Sequence, residues 1–309
     1  MLRQVFNRLI VAIPTVLAII AATFILMHLA PGGPFTKERQ VPEAIERRLL
    51  AEYNLDQPVH RQLFDYLGGL LRGDLGPSMT YRDKGVADII AEGAPTSALL
   101  GFSAMALALA IGSALGVLAA LRQNRGQDYL VMAVAIAGVC LPPLVMGPLM
   151  QLLFGVELRW LPTQGLHRDE FGFVYLFLPV LTLSLPLIAI ISRLMRASMI
   201  EAMRSNAIRT ARAKGLPEWR VVWRHALPAA LLPVVSYVGP ALAGVMAGSF
   251  VVETVFQLPG IGKQFVIAAA QRDYTLVLGV VLVYSLFIIS FNLLSDIACR
   301  WLDPRARAS

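Results

Sequence analysis

Few side chains in this chain are spaced for chemistry, and most of those fail on geometry. Gly260-Ile-Gly262-Lys263 has the outline of a phosphate-cradling turn. However, Gln257 stands where the first glycine of G-x4-G-K-[ST] belongs, and Gln264 replaces the hydroxyl. A nucleotide phosphate would have to be held by another polypeptide. No H-E-x-x-H, C-x-x-C or paired-histidine spacing marks a metal: His60, His167 and His225 are isolated, and His28 ends an apolar run. Cys140 and Cys299 fall in apolar stretches, which suits small buried residues better than a disulfide or reactive thiol. Gly248-Ser249 has no histidine at comparable depth to activate its hydroxyl. Of the ionisable residues at or near apolar segments, Asp296 is expected to pair with an arginine near one end, and Glu253 to order a loop. No catalytic or metal-binding residue is assigned. The feature that remains is cationic, the stretch RTARAKGLPEWRVVWRHALP ending at Pro228 between two long apolar runs.

The elements that would position this stretch follow from composition. The chain is 57% hydrophobic and only 15% charged, where soluble domains carry about a quarter charged residues. Crossing the hydrocarbon core takes about 20 mostly apolar residues. Six stretches qualify, at roughly 9–29, 98–121, 129–156, 174–194, 229–256 and 276–299. The first is read as an uncleaved membrane helix, too long for a signal-peptide core. Pro142, Pro143 and Pro148 interrupt the third and Pro233 and Pro240 the fifth, which a membrane bundle tolerates. The expected fold is an all-α membrane protein with six transmembrane helices in a single domain over 1–309.

Charge orients it. The N-terminal tail, 122–128, 193–228 and 300–309 carry +2, +1, +6 and +2, whereas 30–97, 157–173 and 253–275 carry −2, −1 and 0. The excess of Lys and Arg places both termini and the basic loop in the cytoplasm. The formal net charge of +7 therefore reflects membrane orientation, and no nucleic-acid partner is expected. The outward segment 30–97 is too long for a connector. Its apolar residues Ile45, Leu49, Leu50 and Tyr53, then Leu63, Phe64, Leu67, Leu70 and Leu71, predict two amphipathic helices separated by Asn54–Pro58. These would lie on the outer bilayer surface, face an external partner, or cap the bundle.

Within the basic loop, Ser198 to Lys214 fit one helix with Met199, Met203, Ala207 and Ala211 on one stripe. Ala207, Thr210, Ala211 and Ala213 are small enough for close approach of a partner, and Arg204, Arg209, Arg212 and Lys214 add charge. Gly215 ends this helix, and Pro217 begins a second over 217–227, carrying Val221, Val222 and Ala226 before Pro228 leads back into the membrane. Two readings stand balanced on composition. One is a docking helix gripped from outside the lipid; the other is a basic hairpin that sets orientation and binds anionic head groups. The absence of internal repeats speaks against a stand-alone secondary transporter.

The spacing Ala211-x3-Gly215-x11-Leu227-Pro228 resembles the loop signature of permease subunits in binding-protein-dependent ABC importers. That signature has a Glu-Ala-Ala triplet before the glycine and closes on Ile-x-Leu-Pro. This chain departs at Arg209 and Thr210 in the triplet and at His225 in place of isoleucine. These departures look like the peptide/nickel branch, as do Leu29-Ala-Pro-Gly-Gly-Pro-Phe35, Gly73-Asp-Leu-Gly-Pro-Ser78 and Glu253-Thr-Val-Phe-Gln-Leu-Pro-Gly-Ile-Gly262. The likeness runs nearly end to end and is closest to permeases of oligopeptide importers. It implies a coupling helix made of Asn206, Ala207, Ile208, Arg209, Thr210, Ala211, Arg212, Ala213, Lys214 and Gly215, within a cytoplasmic loop at 195–228. The implied partners are a second homologous permease in a heterodimer, two cytoplasmic ATPases, an extracytoplasmic solute-binding protein, and lipid of a bacterial inner membrane. ATP and Mg would be bound by the ATPases, with no cofactor in this chain. The implied cargo is an oligopeptide or dipeptide, with nickel complexes or glutathione as alternatives in the same family.

Overall fold

The computed structural model describes residues 2–30, 43–81, 83–165 and 172–302. Pro31 to Phe35, His167 and residues 303–309 lie outside them. The described elements are helical apart from an isolated bridge between Pro77 and Gly85. In chain order they are α1 (Leu2–Leu29), α2 (Glu43–Glu52), α3 (Val59–Leu71), α4 (Val86–Leu121), α5 (Gly126–Cys140), α6 (Pro143–Met150), α7 (Gly172–Met203), α8 (Asn206–Ala213), α9 (Glu218–Arg220), α10 (Leu227–Val255), α11 (Ile261–Gln271) and α12 (Tyr274–Leu302). Among the described residues five helices are long and apolar enough to cross a membrane, or six if the bent pair α5 and α6 counts as one span. The helix α4 begins at Val86, upstream of the apolar run that predicts it. At 1.5 Å per residue its 36 residues reach about 54 Å, well beyond a hydrocarbon core of about 30 Å.

The third apolar stretch is not a single rod. The helix ends at Cys140, and the next segment leaves at 103°. Leu141 and Pro142 are both extended, with ψ of 113° and 144°. A residue before proline is driven out of the helical region, while proline suits the first turn of a new helix. Leu141-Pro142-Pro143 thus stops one helix and starts another. Past Pro148 the chain widens into a π-helical segment, Gln151–Glu157, in which Leu158 N–H reaches back to the Leu153 carbonyl at 3.0 Å. By contrast, Pro179 and Pro186 lie within α7, and Pro233 and Pro240 within α10.

The chain forms two compact units. The first comprises residues 1–97 and 259–289. Here Leu63, Tyr66, Leu67 and Leu70 of α3 pack on Ile20 and Phe24 of α1 and Leu278 and Leu282 of α12. The amphipathic pattern of α3 is therefore spent on capping its own unit, although Phe64 and Leu71, placed on that stripe by spacing, are exposed. A second cluster joins Val86, Ile89 and Ile90 of α4 to Ile261 and Ala268 of α11 and to Leu276, Val277 and Val280. Polar closure comes from Asp273, which is fully buried. One of its oxygens accepts from Ser78 Oγ (2.5 Å) and Thr80 N–H (3.0 Å), and the other from Thr275 Oγ1 and Leu276 N–H (both 3.0 Å). It caps the start of α12 and pins the Gly73–Ser78 stretch in one move.

The second unit comprises residues 98–258 and 290–309. Its core runs from Leu100, Ala104 and Ala108 of α4 through Leu187, Ile191, Met195 and Met199 of α7 to Ala230, Val234 and Val252 of α10. Gly112 and Gly116 let α4 and α7 touch backbone to backbone. A Cβ on Gly116 would lie 2.6 Å from both the Met195 Cβ and the Ser192 carbonyl, the close approach that small residues four apart permit between membrane helices.

Replacing Asp273 by Ala strands the fully buried Ser78 hydroxyl proton, at a cost of roughly 1–3 kcal/mol, and leaves Thr80 N–H only its longer bond to Ser78 Oγ (3.2 Å). The expected outcome is faster tryptic cleavage at Lys84, which ends the pinned segment, with helix content unchanged. Cleavage at the wild-type rate would show that the carboxylate does not hold this segment.

Candidate functional site

The basic loop is built differently from the single helix its spacing predicts. The helix α7 ends at Met203, and Ser205 is extended (φ −67°, ψ 155°) before α8 begins at Asn206. The break rotates the stripe. Met199 is fully buried and Met203 partly so, but Ala207 is exposed, and the inward face of α8 is Ile208 and Ala211, 1% and 5% exposed. Ala211, predicted to lie against a partner, instead packs in the protein's own core with Val221, Val222 and Ala226. Asn206, Ala207, Arg209, Thr210, Arg212, Ala213, Lys214 and Gly215 are exposed. The small outward side chains are therefore Ala207, Thr210 and Ala213, one helical turn apart and flanked by Arg209, Arg212 and Lys214.

Gly215 ends α8 as its sequence position predicts. Its φ is +73°, a conformation costing non-glycine residues roughly 1–2 kcal/mol. Gly215 N–H donates to the Arg212 carbonyl (2.9 Å) and Leu216 N–H to the Ala211 carbonyl (3.3 Å), the paired bonds of a Schellman cap. Leu216 completes it by packing into the same core. Arg212 also forms a two-point pair with Glu218, at 2.7 and 3.2 Å, and Glu218 holds the guanidinium above its ordinary range mainly through that hydrogen bond. Both partners are exposed, and such pairs contribute about 0–1 kcal/mol. The buried Ile208 and Ala211 and the glycine cap hold the hairpin.

The predicted stop at Pro228 is absent. From Glu218 the chain continues to Val255 as one helical run, through a π-helical segment at Val221–Ala226. Leu227 N–H bonds to the Val222 carbonyl, five residues back. Proline brings no N–H, and its ring collides with the carbonyl four residues before it. The widened turn ahead of Pro228 relieves that collision without ending the helix. It also leaves Trp219 and Trp223 outward, 62% and 65% exposed, with the Arg220 guanidinium 5.2 Å from the Trp219 ring centre.

Two charges counted separately in the sequence form one buried pair. Asp128 Oδ1 and Oδ2 accept from Arg196 Nε and Nη2 at 2.5 and 2.7 Å, and Asp128 Oδ2 also accepts from Asn124 N–H at 2.9 Å. The aspartate side chain is 2% exposed and the arginine 26%. Removing one partner costs about 3 kcal/mol, the low end for a buried pair because Arg196 keeps some water. This clamp ties the first turn of α5, and through Asn124 the short turn before it, to the last turns of α7, directly ahead of α8. Nothing in the local spacing of Asp128 or Arg196 announces it. Glu253 lies inside the last turns of α10, not in a loop; it accepts from Ser249 Oγ (2.8 Å), and its carbonyl receives Leu258 N–H (2.8 Å).

A family model described as binding-protein-dependent transport system inner membrane component matches residues 112–308, which include the whole loop. Over 307 residues the chain is 45% identical to the oligopeptide transport system permease protein OppB of Haemophilus influenzae, covering 99% of this chain and 100% of that one. It is 46% identical to OppB of Escherichia coli with the same coverage. With the dipeptide transport system permease protein DppB of Bacillus subtilis it shares 38% identity over 99% and 98% of the two chains. Among solved structures it resembles a chain of the MetNI methionine ABC transporter in its inward-facing conformation. The TM-score is 0.55 at 19% identity, over 70% of this chain and 96% of that one. That last likeness speaks to the fold alone.

No atom lies within 4 Å of a Cβ built on Gly215, so the strain of substitution there is purely of backbone. Gly215→Ala is expected to speed amide exchange at position 215 and at Leu216 severalfold, and Gly215→Pro, which has no amide proton of its own, to abolish the protection of Leu216. Unchanged exchange in the alanine variant would remove the glycine from its capping role.

Proposed function

Because the chain belongs to the family of binding-protein-dependent transport system inner membrane components, we propose that it is the peptide permease subunit of an ATP-driven importer. The observation that carries the reading is α8. It is a short cationic helix anchored from beneath by Ile208 and Ala211, with a strip of small side chains facing out. A partner backbone can approach Ala207, Thr210 and Ala213 closely, and Arg209 and Lys214 complement an acidic groove. In this reading α8 through Gly215 is the coupling helix, seated in a cytoplasmic ATPase. The Asp128–Arg196 clamp and the Schellman cap make the loop stiff enough to pass on the motor's movement to α7 and α10.

The working complex has a second, homologous permease, two ATPases and an extracytoplasmic solute-binding protein. ATP and Mg are held by the ATPases, and this chain is not itself an enzyme. Nucleotide favours one of two membrane conformations because it binds them unequally, and that difference drives the cycle. Peptide cargo is supported by the names of the full-length relatives. Six spans, with α5 and α6 as one broken span, and both termini in the cytoplasm are supported by the Lys and Arg bias. With this orientation α2 and α3 lie outside the cell membrane.

Two measurements test the proposal. In proteoliposomes holding all subunits, Ala207→Glu is expected to lower peptide uptake at least about tenfold, a 1.4 kcal/mol loss of coupling, while complex assembly and basal ATP hydrolysis persist. Wild-type uptake by that variant, or uptake of a nickel complex or glutathione in place of peptides, would overturn the assignment. Orientation is read in a cysteine-free background. Arg209→Cys should react with an impermeant maleimide only in inside-out vesicles, and Phe64→Cys only in spheroplasts; the reverse pattern would invert the topology.

A further inference from the structure

In the first unit, α1, α3, the turn after each of α2 and α3, and the start of α12 line a cavity of about 270 Å³. Pockets for whole small ligands run to about 300–1,000 Å³, so this one suits a group of side-chain size. Phe24, Tyr53, Tyr66 and Tyr274 line it together with the carboxylates of Asp65 and Asp74, and no Lys or Arg is among the described lining residues. The face of an aromatic ring attracts a cation within about 6 Å, and carboxylates in a cleft focus the same field. His28 also lines the cavity, but its two ring nitrogens already face the Phe24 carbonyl (2.9 Å) and Gln62 Oε1 (3.1 Å). Its ring lies against Phe24 and Tyr274, with centroids 4.2 and 4.9 Å away.

Three groups are left with unused capacity. Asp74 accepts from Gly76 N–H with one oxygen (2.8 Å), and Asp65 is exposed. The hydroxyl of Tyr66 is buried with no hydrogen-bond partner among the described residues. Burial pushes that phenol above its ordinary range, so it stays neutral and keeps both donor and acceptor capacity. Buried hydroxyls are rarely left unmet unless something else meets them.

We infer that this cavity is a binding site for an organic cation, a primary ammonium or guanidinium group on an aliphatic stem. Such a group sits against the aromatic rings and neutralises the two carboxylates. Two sources present it: a soluble amine, or a Lys or Arg side chain of an extracytoplasmic partner.

The test uses the assembled complex in nanodiscs at constant ionic strength, with n-butylammonium and n-butylguanidinium as probes and 1-butanol as the neutral isostere of the ammonium. Calorimetric titration is expected to show saturable binding of a cation and none of the alcohol. Asp65→Asn and Tyr66→Phe should each weaken it, by roughly tenfold for the charge. Among the described residues neither side chain has a hydrogen bond to lose, so thermal stability should match wild type. Absence of saturable cation binding, equal binding of the alcohol, or indifference to Asp65→Asn would overturn the site. Once binding is seen, adding the solute-binding protein names the source: competition by saturating probe identifies a partner side chain, and no competition a soluble amine. Peptide uptake is not the readout, so this inference stands or falls separately from the transport reading.

Discussion

Hydrocarbon offers no hydrogen-bond partner, so each backbone N–H and C=O of a spanning segment must be met within the protein, and the long apolar runs of this chain can only be helices. Prolines are where that demand is hardest to meet, and the chain handles them in three ways. Pro179, Pro186, Pro233 and Pro240 are absorbed inside α7 and α10. At Leu141-Pro142-Pro143 the helix stops and restarts at 103°. After Pro148 and before Pro228 the helix widens into π segments, whose bonds span five residues.

Where the helices leave the apolar runs, buried polar anchors take over. Asp273 accepts from Ser78 Oγ, Thr80 N–H and Leu276 N–H and fastens the start of α12 to the Gly73–Ser78 stretch, with the Thr275 hydroxyl beside it donating to the Pro77 carbonyl (2.6 Å). Asp128 and Arg196 fasten the start of α5 to the end of α7. Exposed pairs such as Arg212–Glu218 are weak by comparison. The loop thus gains its stiffness from buried contacts and a glycine cap, and its exposed charges are left at the surface. Stiffness resides on the inward face of α8, and the small and cationic side chains on the outward one.

Features set by near neighbours were legible. The spacing of Leu63, Leu67 and Leu70 and the break at Asn54–Pro58 foretell α2 and α3. Gly215 reads directly as a helix end, because few other residues accept its φ of +73°. The break at Arg204–Ser205 was not legible: neither Gly nor Pro marks it, and a serine serves equally in a helix or at its start. Missing it assigned Ala211 to the outside, when its burial depends on a core made by Val221, Val222 and Ala226. Pro228 misled in the opposite sense: a proline can end a helix or be accommodated by a widened turn ahead of it, and which of the two occurs depends on the packing around it.

By itself, the sequence determined that the chain is a set of helices apolar enough to span a membrane, roughly where their apolar runs lie, and which segments carry the excess of cations. Apolar length and charge act locally and survive in any arrangement of the helices. Only the tertiary structure decided which charges are spent and which face of α8 looks outward. Asp128 and Arg196 are 68 positions apart and Ser78 and Asp273 are 195 apart. Pairings of that range come from how helices pack against one another, and no periodicity along the chain records them.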